Sequence, residues 1–184
     1  MSAAPALPPV TLVLGGAASG KSRYAQGLVE QAALARIYLA TAEAGDAEMA
    51  ERIRRHQALR GAGWRTVEVP LELVPALDRY AAADAAVLVD CLTLWLSNLL
   101  GAGRDAEAET DALLAVLPRL RGPVVFVSNE VGLGIVPENA LARRFRDCAG
   151  RLHASLAAAA EAVAFMVAGL PIQLKTPQAP GSPA

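Results

Sequence analysis

Five short apolar runs are spaced along the chain, and each is apolar at consecutive positions rather than at alternate ones. A strand with one face in water alternates apolar and polar residues, whereas a strand buried on both faces is apolar throughout. The pattern therefore predicts five buried strands of a mainly parallel sheet. The runs are VTLVLG (10–15), RIYLATA (36–42), AAVLVDCLT (85–93), PVVFVSNE (123–130) and AVAFMVAG (162–169).

Segments with helical spacing of apolar residues lie between these runs. They predict helices over 21–35, 46–60 and 138–163. The third begins after Pro137, a residue suited to a helix start, and Gly150 is a point at which it could kink or divide. Strands that alternate with helices predict an α/β layered domain.

The two ends of the chain differ in composition from the part between them. Residues 1–9 and 176–184 are rich in Pro, Ala and Ser, so we expect disordered tails there. The remaining 10–175 has the length of one domain and shows no internal repeat.

Composition narrows the classes of function. The formal net charge is -1, which gives no basic field for nucleic acid. Cys91 and Cys148 are the only cysteines, so no zinc cluster or disulfide framework is indicated and a reducing, cytoplasmic setting is expected. The start lacks the basic segment of a secretory signal, and Asp90 and Glu161 interrupt the longest apolar stretches, so we predict a soluble protein without a membrane span.

The strongest chemical signal is GGAASGKS, Gly15 to Ser22, which fits G-x-x-x-x-G-K-[ST] between a strand and a helix. Its glycines allow a tight turn that points backbone N–H groups at a polyphosphate. Lys21 adds a positive charge near the outer phosphates, and Ser22 offers a hydroxyl to Mg²⁺. The predicted fold is therefore a P-loop NTPase-like α/β domain, with a mostly parallel sheet covered by helices.

Two carboxylates follow predicted strands. Asp90 ends AAVLVD, where the carboxyl end of a parallel strand would bring it to the mouth of the loop to hold Mg²⁺ or order Ser22. The alternative is that Asp90 caps the next segment. Glu130 closes VVFVSNE and has the same position in its strand, although capping of the following turn is the stronger interpretation there.

Other charged groups receive structural interpretations. Glu43, Asp46 and Glu48 form an acidic helix start. A group of arginines could face a phosphate or another subunit, although a solvated helix face is favoured; these are Arg143, Arg144, Arg146 and Arg151. His153 has no acidic or cysteine residue at ligand spacing and is interpreted as structural.

His56 is ambiguous on residue patterns alone. It shares an apolar helix face with Met49, Ile53 and Leu59, which favours a partly buried structural histidine. A neutral imidazole is also a competent nucleophile toward phosphorus. Both interpretations remain open at this point.

The motifs together closely resemble one family. GGAASGKSRYAQ, YLATA, DAEMAERIRRHQALRGAGWRTVE, LVDCLTLWLSNLL and SNEVGLGIVPENALARRFRDCAGRLHASLAAAAEAV match the bifunctional adenosylcobinamide kinase and adenosylcobinamide-phosphate guanylyltransferase of cobalamin biosynthesis. The resemblance runs from about Val10 to about Lys175. The segment from Asn129 to Arg151 is specific to this family among P-loop proteins.

The resemblance implies two successive reactions. A nucleoside triphosphate, GTP or ATP, phosphorylates the aminopropanol hydroxyl of adenosylcobinamide. GTP then guanylylates a histidine, and adenosylcobinamide phosphate attacks this adduct to give adenosylcobinamide-GDP. The family stretch R-I-x-x-H-x-x-x-R-P-x-x-W maps onto Arg52, Ile53, His56, Arg60 and Trp64, which makes His56 the nucleophile. The resemblance also implies a homotrimer.

The resemblance further implies a set of nucleotide contacts. At two positions this sequence departs from the family pattern. Ser22 and Asp90 would serve Mg²⁺, Ala18 stands where the family often has Arg, and Gly61 stands where it usually has Pro. The implied contacts are Gly16, Ala17, Ala18, Ser19, Gly20, Lys21, Ser22, Arg23, Ala40, Thr41, Ala42, Gln57, Ala58, Leu59, Arg60, Glu68 and Asp90.

Three rival functions have discriminating features. A simple P-loop kinase would need Lys21, Ser22 and Asp90 but not His56. A GTP-binding switch is disfavoured because SNEVG is not the N-K-x-D guanine signature. A RecA-like assembly module is disfavoured by the balanced charge.

Overall fold

The secondary structure of the chain alternates between strands and helices. The computed structural model describes residues 7–32, 34–43, 51 and 61–177. The predicted helix over 46–60 lies outside these residues apart from Glu51. The strands are β1 Val10–Gly15, β2 Ala35–Ala40, β3 Trp64–Glu68, β4 Ala85–Asp90, β5 Val124–Asn129, β6 Ala162–Val167 and β7 Leu170–Lys175. The helices are α1 Lys21–Gln31, α2 Leu73–Tyr80, α3 Leu92–Gly101, α4 Ala106–Val116 and α5 Ala140–Ala159, with a 3₁₀ turn at Leu117–Arg119.

All seven strands form one sheet in the order β3-β2-β4-β5-β1-β6-β7. β1 to β6 are mutually parallel, and β7 returns antiparallel to β6. The predicted α/β fold with a mostly parallel sheet is confirmed. Because parallel strands end on the same side, β1 to β6 share a carboxyl edge, which is the edge where nucleotides bind in open α/β sheets.

Helices cover both faces of the sheet because successive strand residues point in opposite directions. Leu12, Leu39 and Phe126 belong to the larger core cluster, which contains residues of α2, α3, α4 and α5. Val13 and Val125 belong to the cluster that contains α1 residues. Full burial of a side chain of this size contributes about 1.5–3 kcal/mol, so the two apolar faces supply the main driving force for the layered arrangement.

Several predicted boundaries are wrong. The run over 85–93 is a strand only to Asp90, since α3 begins at Leu92. Its N-cap, Cys91, makes no side-chain capping bond, and α3 has buried residues along most of its length, so no polar cap marks where the helix begins. The run over 36–42 is a strand only to Ala40, and the helix over 21–35 ends at Gln31.

The last helix runs through Gly150 without division. It begins later than predicted, at Ala140, because the side chain of Asn139 accepts the N–H groups of Leu141 and Ala142. It also ends earlier, at Ala159, and two residues separate it from β6.

The ends of the chain are partly described. Leu7 packs against the cluster that contains α1, so ordered packing reaches into the predicted tail 1–9. Residues 1–6 and 178–184 lie outside the described part. No helix within the described residues is long and apolar enough to cross a bilayer.

Gly150 provides a test of the continuous helix α5. An ideal Cβ at Gly150 meets no other heavy atom within 4 Å outside the backbone of its own helix. We expect Gly150→Ala to raise the free energy of unfolding by about 0.5–1 kcal/mol, because alanine loses less conformational entropy in a helix. Denaturant unfolding measures the change.

Gly122→Ala is the matched control, because a Cβ there would lie 2.1 Å from the carbonyl oxygen of Ala82. It should lower the free energy of unfolding by at least about 1 kcal/mol. A loss of stability in Gly150→Ala would show that α5 is interrupted at Gly150.

Candidate functional site

The segment Gly16–Gly20, here called the phosphate loop, joins β1 to α1. Gly15 has a φ of 150°, and a Cβ there would lie 2.6 Å from the carbonyl oxygen of Met166. Gly20 is the N-cap of α1 with a φ of 92°, and no side chain caps the helix. The first N–H groups of α1 are therefore available to an anion, and the helix dipole favours negative charge there.

Lys21 is held over the phosphate loop. Its side chain is buried, and its Nζ donates to the carbonyl oxygen of Gly16 and lies 3.4 Å from Ser19 Oγ. Ser22 is half-buried and Arg23 is exposed on the next turn. The loop thus combines an open helix N-terminus with a fixed cation, which suits it to a polyphosphate.

Asp90 ends β4 at the carboxyl edge, as predicted, but β5 lies between β4 and β1. Asp90 pairs with Val127, which pairs with Val13, two residues before Gly15. Its Oδ2 accepts the Tyr38 hydroxyl at 3.0 Å. Asp90 is therefore one strand further from the phosphate loop than the sequence suggested, and half-buried.

Three of the implied nucleotide contacts end neighbouring strands. Ala40 of β2 pairs on one side with Glu68 of β3 and on the other side with Asp90 of β4. Glu68 is exposed on the edge strand. The sheet therefore brings a free carboxylate, a small residue and a half-buried carboxylate into one row.

Thr41 has a structural role in this row. It is fully buried, and its Oγ1 donates to the carbonyl oxygen of Cys91 at 2.7 Å and accepts the N–H of Cys91 at 2.8 Å. Asn98 Nδ2 donates to the Thr41 carbonyl oxygen at 2.8 Å. These bonds tie the end of β2 to the start of α3 and occupy the Thr41 hydroxyl, whereas Ala42 remains half-buried beside it.

The predicted nucleophile lies outside the described residues. This holds for His56 and for the neighbouring implied contacts Gln57, Ala58, Leu59 and Arg60. Their roles remain predictions. Of the predicted acidic cluster, Glu43 is described and exposed, while Asp46 and Glu48 lie outside the described part.

His153, interpreted from the sequence as structural, has an acidic neighbour that is distant in sequence. His153 on α5 is buried, its Nε2 lies 2.7 Å from Ser128 Oγ, and its Nδ1 lies 3.7 Å from Glu130 Oε2. Burial lowers the pKa of His153, and the nearby Glu130 carboxylate partly opposes this. The sequence pattern did not indicate this group because Ser128, Glu130 and His153 belong to different elements.

Glu130 caps the turn that follows it, as its sequence position favoured, since its Oε1 accepts the N–H of Gly132. Among the arginines, Arg143 donates to the carbonyl oxygens of Pro137 and Glu138, and Arg151 pairs with Glu107 at 2.8 Å. These contacts agree with structural roles on α5.

The described residues offer oxygen ligands for a divalent cation, but they do not form a site made of protein ligands alone. The described residues include no group of three or more His, Cys, Asp or Glu that could hold a metal. Mg²⁺ at nucleotide sites is usually bound by one or two protein oxygens together with phosphates and water. Ser22 and Asp90 fit that requirement, because one is a hydroxyl beside the loop and the other a half-buried carboxylate at the same edge.

The fold resembles that of solved proteins with distant sequences. The chain superposes on the flagellar accessory protein FlaH from Methanocaldococcus jannaschii with a TM-score of 0.61 and 16% identity, covering 96% of this chain and 83% of that one. This likeness concerns the fold alone.

Sequence comparisons are more specific. The bifunctional adenosylcobalamin biosynthesis protein CobP of Pseudomonas aeruginosa is 52% identical over 166 residues, which are 89% of this chain and 96% of that protein. The bifunctional adenosylcobalamin biosynthesis protein CobU of Salmonella typhimurium is 43% identical over 179 residues, or 89% of this chain and 98% of that protein. The model of the family described as cobinamide kinase / cobinamide phosphate guanyltransferase matches residues 11–174. The chain therefore belongs to the cobinamide kinase / cobinamide phosphate guanyltransferase family of enzymes, as its motifs predicted.

Proposed function

We propose that this chain phosphorylates adenosylcobinamide with GTP or ATP and then transfers GMP from GTP to give adenosylcobinamide-GDP, and that both reactions use the one phosphate loop. The observation that carries this is the uncapped N-terminus of α1 behind Gly20, with Lys21 fixed over the loop. These groups are suited to the phosphates of a nucleoside triphosphate. Family membership supplies the acceptor substrate.

His56 is proposed to carry GMP as a covalent intermediate. Its neutral imidazole would attack the α-phosphorus of GTP, a P–N bond would form, and pyrophosphate would leave. Adenosylcobinamide phosphate would then attack the same phosphorus and release the imidazole. Arg54, Arg55 and Arg60 are close to His56 in sequence and would favour its neutral form while stabilising charge on the phosphate.

Mg²⁺ is proposed to be held by Ser22 and Asp90, together with phosphate oxygens and water. When bound, it would neutralise charge on the polyphosphate. The Tyr38 hydroxyl fixes one oxygen of Asp90 and leaves the other available. The remaining implied contacts, Gly16 to Arg23, Ala40 to Ala42, Gln57 to Arg60 and Glu68, are proposed to bind the nucleotide.

The active form is proposed to be a cytoplasmic homotrimer built from the unit 10–175. Large apolar side chains are exposed at Leu133, Ile135, Val136 and Leu141, which is typical of an interface surface. The free, buried cysteines Cys91 and Cys148 agree with a reducing compartment. A monomer in sedimentation equilibrium at working concentration would rule out the trimer.

His56→Ala tests the two-step scheme. With α-labelled GTP, the unaltered chain should acquire acid-labile, base-stable label, since P–N bonds hydrolyse in acid. With γ-labelled GTP it should acquire none. His56→Ala should lose the protein-bound label entirely while still phosphorylating adenosylcobinamide, because the kinase step does not use the imidazole.

The retained kinase activity is the control for folding in this experiment. Persistence of the α-label in His56→Ala would rule out His56 as the nucleophile. Absence of the label from the unaltered chain would favour a simple kinase.

Asp90→Asn tests the proposed metal site. The change removes the charge but keeps an oxygen that can accept the Tyr38 hydroxyl. We expect the Mg²⁺ concentration for half-maximal rate to rise about tenfold or more in both reactions. Initial rates measured across a Mg²⁺ titration give this concentration.

Asp84→Asn is the control, because Asp84 is an exposed carboxylate just before the opposite end of β4. It should leave the titration unchanged. An unaltered Mg²⁺ requirement in Asp90→Asn would remove Asp90 from the site.

A further inference from the structure

Glu130 directly follows β5, and its backbone is hydrogen-bonded to Gly15, the residue before the phosphate loop. β1 has hydrogen-bonded neighbours on both sides, and Gly15 pairs with Asn129 of β5 and with Met166 of β6. The N–H of Glu130 donates to the carbonyl oxygen of Gly15 at 3.0 Å. At this level β6 offers only apolar side chains, so Glu130 is the ionisable group that the neighbouring strands bring to the loop.

By the same register, the backbone of Asp90 is further from the phosphate loop than that of Glu130. It lies on β4, one strand beyond β5, and strands are spaced by about 4.8 Å. It also pairs with Val127, three positions before Glu130. The two carboxylates thus occupy different places along the carboxyl edge.

The Glu130 carboxylate accepts one hydrogen bond, lies near a second polar group and is not enclosed. Its Oε1 accepts the N–H of Gly132, and its Oε2 lies 3.7 Å from Nδ1 of His153. A carboxylate has roughly four acceptor positions, so further positions remain for a substrate hydroxyl. The side chain is 21% exposed, so the carboxylate is reachable from solvent.

His153 and Ser128 form the inner part of this arrangement. Burial lowers the pKa of His153, which favours a neutral ring. Nδ1 is the ring nitrogen that faces Glu130; in the tautomer with the hydrogen on Nδ1, Nε2 accepts the Ser128 hydroxyl.

The order Ser128–His153–Glu130 resembles the triad of a serine hydrolase, but burial excludes that chemistry. Ser128 is 0% exposed within β5, so no substrate carbonyl can reach its Oγ. Glu130 is the member of the group that solvent reaches, and its backbone is bonded to Gly15 at the start of the phosphate loop. Of these three residues, Glu130 is therefore the one that can contact a substrate.

The kinase step needs a proton acceptor, and this inference rests on the proposed function. The alcohol oxygen of the substrate bonds to the γ-phosphorus, while the bond from that phosphorus to the β–γ bridging oxygen breaks and the nucleoside diphosphate leaves. The hydroxyl proton must be removed during this displacement. The guanylyl transfer has no such need, because its nucleophiles are an imidazole lone pair and a phosphate oxygen.

We propose that Glu130 is the general base of the phosphoryl-transfer step, accepting the proton of the attacking hydroxyl, and that His153 positions its carboxylate. The proton passes from the alcohol oxygen to a Glu130 oxygen and is released to solvent after product departs. Charged or titratable side chains bordering this part of the edge are His153 on α5, Lys21 at the start of α1 and Asp90 on β4.

Glu130→Gln is the test, since the amide oxygen can still accept the N–H of Gly132. Two rates are measured on the full chain: phosphorylation of adenosylcobinamide from γ-labelled nucleotide, and protein labelling from α-labelled GTP. The first should fall about 10²- to 10⁴-fold, which is the usual contribution of a general base. The second should be unchanged, which also reports that the variant is folded.

Two further variants complete the experiment. Glu138→Gln removes an exposed carboxylate eight positions along the same segment and should change neither rate. Glu130→Asp keeps a base in a displaced position, so its kinase rate should be reduced but should still fall at acid pH. In Glu130→Gln that fall should be absent.

The outcomes separate this inference from the proposed function. A full kinase rate in Glu130→Gln, equal losses of both rates, or a flat pH profile in Glu130→Asp would each overturn the role of Glu130 while leaving the two reactions in place. An unaltered chain that phosphorylates no adenosylcobinamide would overturn the kinase function and the general base with it.

Discussion

The site depends on how the phosphate loop is fixed between its neighbours by backbone hydrogen bonds. On one side the Glu130 N–H donates to the Gly15 carbonyl oxygen, and on the other side the Gly169 N–H donates to the Ser19 carbonyl oxygen at 3.1 Å. The close approach of Met166 leaves no room for a side chain at Gly15. Because the segments that follow both strands adjacent to β1 contribute, the loop geometry depends on the sheet as much as on the motif.

This arrangement gives the carboxyl edge two chemically different parts. The ends of β3, β2 and β4 align Glu68, Ala40 and Asp90 on one side. The end of β5 brings Glu130 to the loop and connects it to the buried His153. Such a division would suit the proposed use of one phosphate loop for two transfers, because phosphoryl transfer to an alcohol requires a proton acceptor and guanylyl transfer does not.

Features that are encoded by consecutive residues could be predicted from the sequence. Buried strands and the phosphate motif were recognisable because each is encoded by consecutive residues, and the resemblance located the family. The position of β5 between β1 and β4 was not predictable, since strand order depends on contacts distant in sequence. The exposed edge strands β3 and β7 lack the fully apolar pattern of buried strands, and β7 contains Pro171, a residue tolerated at sheet edges. The His153–Glu130 contact was missed for the same reason as the strand order: it joins α5 to the end of β5.

We propose that a single phosphate loop serves both transfers. Equilibrium dialysis of the chain with a labelled, non-hydrolysable GTP analogue, with and without ATP, tests it directly. One nucleotide per chain, displaced competitively by ATP and lost in Lys21→Ala, is the result expected from one loop. Simultaneous binding of ATP and the GTP analogue to the same chain would contradict the claim.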